Sequence, residues 1–377
     1  MSGSVFVLNA GSSSLKYQLV DPGSGEVHVA GIVERIGEQG SDVPDHEAAV
    51  RRALDAIEGR PAPVACGHRV VHGGERFDGP TLIDGGVEAA IDELSALAPL
   101  HNPANLQGIR AARAVLPDIP HVAVFDTAFH RTIPAAAATY AIPVELAKRY
   151  GVRRYGFHGT SHRYVSRAAA DFLGIPLERS KLIVLHLGNG ASACAVDGGR
   201  SIETSMGMTP LEGLVMGTRS GDIDPAALFH LHRQAGLGFE ELEGMLNRDS
   251  GLKGLTGKGD MRDVQAAAAD GDEPAEAALA VYRHRIRKYI GAYLAQLGGL
   301  DALVFTAGVG ENNSLLRRRT LAGLEHLGLR VDPDRNEVPS HEARRISPDD
   351  SPVAVLVVPT NEELEIARQT AAVTDDR

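Results

Sequence analysis

Short apolar runs alternate along this chain with longer stretches in which apolar residues recur every three or four positions. The short runs have strand length, and the longer stretches have the period of an amphipathic helix. The predicted strands are residues 5–8, 15–20 and 27–36, a run ending in G-H-R-V-V-H-G-G, and residues 121–125, 182–187, 192–196, 303–306 and 353–360. The predicted helices are residues 48–57, 87–98, 104–116, 145–150, 162–173, 226–235, 239–247 and 274–297, a segment from about 313, and residues 362–372. Alternating strands and helices predict the α/β class.

The apolar pattern of residues 5–20 returns at residues 182–196. In both segments two strand-like runs flank a tight turn of Gly and small hydroxylated or amide residues. Superposing the segments aligns three residue pairs: Asn9 with His186, Gly11 with Gly188, and Ser14 with Ala191. Such turns direct backbone N–H groups and small side chains at one point, which suits phosphate oxygens. The repeat predicts a duplicated domain whose halves grip a polyphosphate.

The composition is that of a globular protein long enough for two domains. The chain has 377 residues, of which 43 % are hydrophobic and 23 % charged, and its formal net charge is −11. This charge argues against nonspecific binding to nucleic acid or to an anionic membrane. A site for anionic substrates must therefore concentrate positive charge locally.

The cysteines and apolar runs favour a cytoplasmic protein. Cys66 and Cys194 form no C-x-x-C pair, so we expect two buried thiols in a reducing compartment rather than a zinc ribbon or a disulfide. The N-terminal M-S-G-S-V-F-V-L-N lacks the basic region of a signal peptide. No apolar run reaches the roughly 20 residues that cross a bilayer.

The first turn and a later glycine segment are candidates for nucleotide binding. Asn9, Ser12, Ser14 and Lys16 could contact phosphate oxygens or a metal, although a Ser-rich hairpin turn is the ordinary interpretation. The turn does not match the G-x-x-x-x-G-K-[ST] motif. T-A-G-V-G-E-N, residues 306–312, follows a strand and precedes a helix, and its glycines would let backbone approach a base or ribose. A plain strand–helix turn is equally compatible with it.

Several charged residues occur where a ligand could reach them. Asp126 ends a predicted buried strand, and Arg69 and Arg219 stand among glycines, where guanidinium groups could bind phosphate or carboxylate. His158 and His162 have the spacing of a helical zinc pair, but no third ligand accompanies them, so a phosphate donor or a structural role is favoured. The roles of other histidines, including His101 and His186, stay open.

Two further segments favour a functional interpretation. The glycine-rich stretch that follows Arg200 has little periodicity, which is typical of functional loops in enzymes. Near the end, P-T-N-E-E-L places Asn361 before a predicted helix and Glu362 in its first turn. A capped helix start explains this fully, and a magnesium ligand is the alternative.

Taken together, these motifs resemble those of the acetate kinase family. They occur in the family's order from residue 5 to about 370: N-A-G-S-S-S-L-K, G-H-R-V-V-H-G-G, P-L-H-N-P, F-D-T-A-F-H, Y-G-F-H-G-T-S-H, H-L-G-N-G-A-S, T-P-L-E-G-L-V-M-G-T-R-S-G-D-I-D-P, A-G-V-G-E-N and P-T-N-E-E-L. The resemblance implies two duplicated actin-like (RNase H-like) domains with nucleotide in the interdomain cleft. The first would comprise residues 1–128 and 364–377 and bind the acyl substrate. The second, residues 129–363, would bind nucleotide and dimerise.

The resemblance also implies the reaction, its cofactor and its residues. The reaction is the reversible conversion of ATP and acetate to ADP and acetyl phosphate with Mg²⁺, for which Mn²⁺ can substitute, in a homodimer. The implied catalytic residues are Asp126, His158, Arg219 and Arg69, of which Arg69 also binds the acetate carboxylate. The implied methyl pocket is Val71, Leu100, Phe157 and Pro210, and the implied metal residues are Asn9 and Glu362. The implied nucleotide contacts are Ser12, Ser14, Lys16, His186, Leu187, Gly188, Asn189, Gly190, Asp260, Met261, Arg262, Gly308, Val309, Gly310, Glu311 and Asn312.

This sequence departs from the family pattern at three points, and two other functions stay open. The segment 37–63 is short, Met261 replaces a more usual aromatic residue, and Lys253 and Lys258 lie beside that loop. A propionate kinase would use the same chemistry, because one methylene changes binding by only about 1–3 kcal/mol. An ATP-driven switch of the Hsp70 or actin type would share the nucleotide turns but need no acyl pocket. For a kinase we expect direct in-line transfer, with a phosphoenzyme as the alternative.

Overall fold

The computed structural model describes residues 3–38 and 40–375. Within these ranges the chain forms two compact units, each built on its own sheet. The first unit comprises the described residues up to Arg131, the segment Phe157–Tyr164, and the described residues from Asn361 onward. The second comprises Thr132–Gly156 and Val165–Thr360. Phe157–Tyr164, expected in the second domain, thus joins the first unit, because its backbone bonds to Asp126 and His130 there.

Strands and helices follow one another along the chain as the α/β class predicts. The strands are β1 (Val5–Ala10), β2 (Ser14–Val20), β3 (Val27–Glu34), β4 (Ala65–Val70), β5 (Thr81–Leu82), β6 (His121–Phe125), β7 (Lys181–Leu187), β8 (Ala191–Asp197), β9 (Arg200–Thr204), β10 (Ala302–Thr306), β11 (Arg344–Arg345) and β12 (Ala354–Val357). The helices are α1 (His46–Asp55), α2 (Gly85–Glu93), α3 (Asn102–Val115), α4 (Ala135–Ala138), α5 (Val144–Tyr150), α6 (Gly159–Leu173), α7 (Pro225–Ala235), α8 (Phe239–Arg248), α9 (Gly251–Thr256), α10 (Met261–Ala269), α11 (Glu273–Leu297), α12 (Ala307–Asn312), α13 (Ser314–Leu321), α14 (Pro333–Glu337) and α15 (Glu362–Asp375). Short 3₁₀ turns occupy Leu94–Ala96, Ala128–Thr132, Leu177–Arg179 and Glu325–Leu327.

The two sheets have the same topology. The strand order is β3-β2-β1-β4-β6-β5 in the first unit and, in the corresponding direction, β9-β8-β7-β10-β12-β11 in the second. In each sheet the first three strands are an antiparallel meander, two parallel strands follow, and a short antiparallel strand closes the edge. The duplication that the two turns predict is therefore confirmed at the level of whole sheets.

The two faces of the first sheet pack against different helices. Successive strand residues point to opposite faces. Phe6 and Leu8 of β1 accordingly join a core formed with α1 and α3, whereas Val5 and Val7 join a second core with Ile366 of α15. This sheet thus lies between helices on both faces, as a buried mixed sheet requires.

The structure differs from the predicted elements in several places. β5, β9, β11, α4, α9, α10 and α14 were not predicted, because each is too short to show a clear period. The segment 306–312 is a short helix, α12, rather than a turn, and Ala307 begins it with a left-handed φ of 64°. None of the helices in the described ranges combines the length and apolar composition that a bilayer-spanning segment needs.

Candidate active site

Arg69 and Asp126 form a buried ion pair at the ends of two neighbouring parallel strands. Asp126 directly follows β6 and is 1 % exposed, and Arg69 is the penultimate residue of β4. Arg69 Nε lies 3.2 and 3.1 Å from the two carboxylate oxygens of Asp126, and its Nη2 lies 2.6 Å from Oδ2. Burial opposes the charged form of Arg69, but Asp126 and Glu362 raise its pKa above the usual range. The guanidinium is therefore a permanent cation.

The pair leaves part of the Arg69 guanidinium for a substrate. Asp126 is bound through Nε and Nη2, along one side of the group. The fork formed by Nη1 and the second Nη2 proton takes no part in these bonds. A guanidinium fork matches a carboxylate in bidentate geometry. Arg69 can consequently hold Asp126 and an external carboxylate together.

The turn into α6 fixes the position of Asp126. Gly159 N donates a hydrogen bond to the Asp126 carbonyl oxygen at 3.0 Å, so closely that a Cβ at residue 159 would collide with that oxygen. Thr160 Oγ1 donates to Asp126 Oδ1 at 3.1 Å, and Thr160 is 2 % exposed. His158, just before this turn, has a left-handed φ of 58°. Such strain in a non-glycine residue is characteristic of functional sites.

Thr160 is a positioning residue that we did not identify from the sequence. Thr160→Val keeps the shape but removes the hydrogen bond to Asp126, so we expect kcat to fall at least about tenfold, because a bond to a charged group contributes about 1.5–3 kcal/mol. Thr160→Ser should restore kcat. Both variants should keep the wild-type KM for ATP. Steady-state kinetics check this, and an unchanged kcat in Thr160→Val would remove Thr160 from the site.

Acidic side chains at the start of α15 complete the site of the first unit. Asn361 Oδ1 accepts a hydrogen bond from Leu364 N at 3.0 Å, which confirms the capped helix start. Glu363 pairs with Lys16. Burial raises the pKa of Glu362, and Asp126 and Glu363 raise it further, whereas Arg69 and Lys16 act in the opposite direction. Carboxylates thus crowd this corner in excess of the cations.

Two amides of α3 hold the strands that carry the site. Asn105 Oδ1 accepts from Val71 N at 3.0 Å, and Asn105 Nδ2 donates to the Ala10 carbonyl at 2.7 Å. Asn102 bonds both the N–H and the carbonyl of His72, at 3.1 and 3.0 Å. These buried amides therefore fix the end of β1 relative to the end of β4. From the sequence, we included Asn102 within P-L-H-N-P and did not identify Asn105.

The four residues expected to bind the methyl group differ in their surroundings. Val71 and Phe157 are buried in the first unit, at 8 % and 1 % exposure. Leu100 belongs to the same unit but is 56 % exposed. Pro210 lies in the second unit, where its carbonyl accepts a hydrogen bond from Arg219 Nη1 at 2.7 Å. The structure thus brings Pro210 and Arg219 together within one unit.

Arg219 has no carboxylate partner within the described part of the chain. It lies in a turn closed by Met216 N and the Arg219 carbonyl at 3.1 Å. Gly251 presses on this turn at a left-handed φ of 61°, where a Cβ would collide with the Met216 carbonyl. Burial lowers the pKa of Arg219 from its ordinary value, with no other contributor. The loop therefore presents an unneutralised, partly buried cation.

The tip of the β7–β8 hairpin borders a cavity of about 660 Å³ in the second unit. Eight predicted nucleotide contacts line it: Gly188, Asn189, Asp260, Met261, Arg262, Gly308, Val309 and Asn312. The lining also includes residues that we did not predict, namely Gly217, Leu252, Gly259, Gln265, Tyr282, Asn313, Ser314 and Leu315. Met261 is 5 % exposed, and Asp260 caps α10 and pairs with Arg262, which lowers the pKa of Asp260 to about 2.

The remaining predicted nucleotide contacts lie elsewhere. Ser12, Ser14 and Lys16 belong to the first unit. His186, Leu187, Gly190, Gly310 and Glu311 are in the second unit but outside the described lining of the cavity. Glu311 Oε1 accepts from Thr360 N at 3.0 Å and from Thr306 Oγ1 at 3.4 Å, so it ties α12 to the strand end. Leu187 is a core residue of β7.

Arg317 supports the nucleotide side of this cavity, and we did not predict it. Its Nη1 donates to the carbonyls of Gly310 and Glu311 at 2.9 Å each, and its Nε donates to Asn336 Oδ1 at 2.8 Å. It is 1 % exposed, and burial together with Arg344 lowers its pKa to about 10. Arg317 therefore holds the carboxyl end of α12, which lines the cavity through Gly308 and Asn312.

Replacing Arg317 should weaken nucleotide binding selectively. We expect Arg317→Met to raise the KM for ATP at least about tenfold, because α12 loses two carbonyl partners worth about 1 kcal/mol each, while the KM for acetate stays unchanged. Arg318→Met, one residue along and exposed, is the matched control. Equal KM values for ATP in the two variants would contradict this role.

The fold and site define an α/β protein with two homologous sheets, a glycine-rich cavity and a cationic site that can bind carboxylate. The model of the acetokinase family matches residues 4–368. The acetate kinase of Clavibacter sepedonicus is 64 % identical, with 98 % of this chain and 99 % of that protein covered. The structure of Porphyromonas gingivalis acetate kinase superposes with a TM-score of 0.94 at 42 % identity, covering 99 % of this chain and 100 % of the other. The structure of a propionate kinase from Francisella tularensis subsp. tularensis superposes with a TM-score of 0.92 at 42 % identity, and it covers 99 % of this chain and 100 % of the other.

The chain belongs to the acetokinase family. This confirms the resemblance found in the sequence motifs and the fold class that it implied. It also makes the protein an enzyme, a phosphotransferase, rather than an ATP-driven switch.

Proposed function

We propose that this enzyme phosphorylates acetate with ATP, reversibly, to give acetyl phosphate and ADP. The observation that carries the proposal is the Arg69 fork, a permanent cation held by Asp126 in a chain 64 % identical to an acetate kinase. Acetate-dependent formation of ADP, measured in a coupled assay, is the test. ATP turnover that does not depend on any short carboxylate would contradict the proposal.

The chemistry requires charge compensation rather than a base. A carboxylate is ionised at neutral pH, so the nucleophile has no proton to lose. Its obstacle is repulsion by the triphosphate, about 4 kcal/mol for two unit charges about 4 Å apart at an effective dielectric constant near 20. We assign Arg69 to the acetate carboxylate, and Arg219 and His158 to the charge that develops on the transferring group. Asp126 orients Arg69 and does not act as a base. Positioning and electrostatics supply most of the catalysis in phosphoryl transfer.

The acidic corner of the first unit suits a magnesium ion. Glu362 lies in this corner, and Asn9 of β1 pairs across the sheet with Lys16, the partner of Glu363. Carboxylate and amide oxygens are the hard ligands that Mg²⁺ prefers. The raised pKa of Glu362, caused by burial and by neighbouring carboxylates, supports the placement of a cation there. Asn9 and Glu362 would hold the ion, directly or through water, with Mn²⁺ as a substitute. When bound, the ion would neutralise charge on the phosphates.

Direct in-line transfer is the mechanism that this arrangement favours. Arg69 can hold the acetate carboxylate itself, so no intermediate acceptor is needed. ATP with a chiral γ-phosphorus should give acetyl phosphate with inverted configuration. Retention would instead indicate two successive transfers through a phosphoenzyme, for which Glu362 would be the candidate acceptor.

Acetate is the preferred acyl substrate in this proposal. The 64 % identity to an acetate kinase exceeds the 42 % identity to the propionate kinase. Val71, two residues after Arg69, and Phe157 are buried apolar side chains of the same unit, and we assign them to the methyl group. Comparing kcat/KM for acetate, propionate and butyrate tests this, and a higher value for propionate would reverse the assignment. We place the reaction in the cytoplasm, since both cysteines are free thiols.

We also propose that a second copy of the chain covers exposed apolar side chains of α5, α7 and α8 in the second unit. Val144, Leu146 and Tyr150 of α5, Phe229 of α7 and Phe239 of α8 are each more than half exposed. Burying such side chains stabilises association. Phe229→Asp with Phe239→Asp should convert a dimer to monomers in analytical ultracentrifugation, whereas Val338→Asp, also at an exposed apolar residue, should not. A wild-type monomer would contradict the proposal.

A further inference from the structure

Cys66, His68 and His121 form a buried cluster in the first unit, outside the residues assigned to the reaction. Each offers one ligand atom, and these atoms all lie within 4.8 Å of one another. Cys66 and His68 are alternate residues of β4, and His121 pairs with Cys66 on the neighbouring strand β6. Their exposures are 0, 2 and 5 %. The sheet register therefore brings one sulfur and two imidazoles together on one face.

This face is opposite the one that serves Arg69. Neighbouring residues of a strand point to opposite faces. A Cβ on Gly67 would meet Ile366 and Thr370 of α15, whereas Cys66 packs in the core that includes Ala111 and Ala112 of α3. The cluster is thus separated from the reaction site by the sheet itself.

The hydrogen bonds prepare His121 as a ligand. Its Nε2 lies 2.9 Å from the Leu116 carbonyl, which can only accept, so Nε2 carries the proton and Nδ1 is an acceptor. His68 Nε2 donates to this Nδ1 at 2.9 Å. A ligating histidine almost always donates its other N–H to such a carbonyl or carboxylate. Burial, His121 and Arg113 lower the pKa of His68 well below its usual range, and burial lowers that of His121.

We infer that Cys66, His68 and His121 form a site for a zinc-class divalent ion. Thiolate and imidazole are the donors that Zn²⁺ prefers, and three protein ligands plus water complete its tetrahedron. The ion replaces the proton shared by the two imidazoles, which moves to His68 Nδ1, and it displaces the thiol proton of Cys66 into solvent. Ligand atoms of a tetrahedral zinc lie about 3.3–3.7 Å apart, so His68 and His121 separate by less than 1 Å from their present contact.

Access and charge are compatible with this ion. A cavity of about 600 Å³ borders His121, together with Arg113 and Asp118, and is the source that we assign to the water ligand. The charge of Arg113 acts on both histidines, and Glu88 pairs with Arg113. Bound metal would join β4 to β6 and so stabilise the first unit.

The test uses the full-length enzyme, stripped of transition metals and kept in Mg²⁺, which does not compete for thiolate. Titration with Co²⁺ should give one equivalent of binding with a thiolate-to-cobalt charge-transfer band, which Zn²⁺ should abolish. Cys194→Ser, at the other buried cysteine, should keep the band, and Cys66→Ser should lose it. His121→Gln should weaken binding at least about tenfold. Zn²⁺ at 100-fold its Kd should raise the Tm of the wild type by about 3 °C.

Two outcomes would overturn the inference. If Co²⁺ gives no charge-transfer band with the wild type, then Cys66 does not bind metal and His68 and His121 are only hydrogen-bonded to each other. A band or Tm shift of equal size in Cys66→Ser places the metal elsewhere, on the protein surface. If Cys66→Ser does not fold, His121→Gln decides, because undiminished affinity in that variant also excludes the site.

Discussion

Arg219→Ala should lower kcat at least about 100-fold, the loss expected when a preorganised charge partner of the transition state is removed. The structure gives a physical reason for so large an effect. Arg219 is a partly buried cation that donates to the Pro210 carbonyl at 2.7 Å, and no carboxylate in the described residues neutralises it. Its charge is therefore available to a transferring phosphoryl group.

Fold and charge can be separated experimentally at this position. Arg219→Lys keeps a cation but loses the fork, so we expect an intermediate kcat. Arg285→Lys is a matched control within the same unit, because Arg285 is paired with Asp222 at 2.8 Å. The Tm of all three variants shows whether a loss of kcat comes from unfolding rather than from the missing charge. Near-wild-type turnover in Arg219→Ala would eliminate the catalytic role.

The pattern of apolar positions predicts the strands well, because strand residues either alternate between apolar and polar or form a continuous apolar run in a buried sheet. Asn9 and His186 occupy equivalent positions before the two turns, and both sheets have one topology. The alignment of Ser14 with Ala191 was wrong by one residue, because Leu15 pairs with Ala10 as Ala191 pairs with Leu187. The pairing register could not be predicted. Asn9 pairs with Lys16 but His186 pairs with Ser192, so the first turn is one residue longer than the second.

Short helices and positioning residues escaped prediction for a different reason. α12 contains two glycines and begins at a strained Ala307, so its local propensity gives no helical signal. Thr160 and Arg317 act through Asp126 and α12, and only tertiary contacts reveal this. Motif resemblance identifies residues that touch a ligand more readily than residues that hold those residues in place.

Arg69→Ala should raise the KM for acetate at least about 30-fold, since truncating one member of a desolvated charged contact costs about 2 kcal/mol or more. The same change leaves Asp126, 1 % exposed, without its cation. An unpaired buried charge destabilises a protein by about 3–5 kcal/mol. Activity and stability would therefore both fall, and a single variant cannot separate them.

A double-mutant cycle separates the two effects. Asp126→Asn removes the charge that Arg69 compensates, so Arg69→Ala combined with Asp126→Asn should recover most of the lost free energy of unfolding, measured in urea. The KM for acetate should stay high in the double variant, because the fork that binds the carboxylate is still missing. Recovery of the KM together with stability would show that Arg69 serves only to neutralise Asp126. A KM that remains high after stability returns would make Arg69 the acetate ligand.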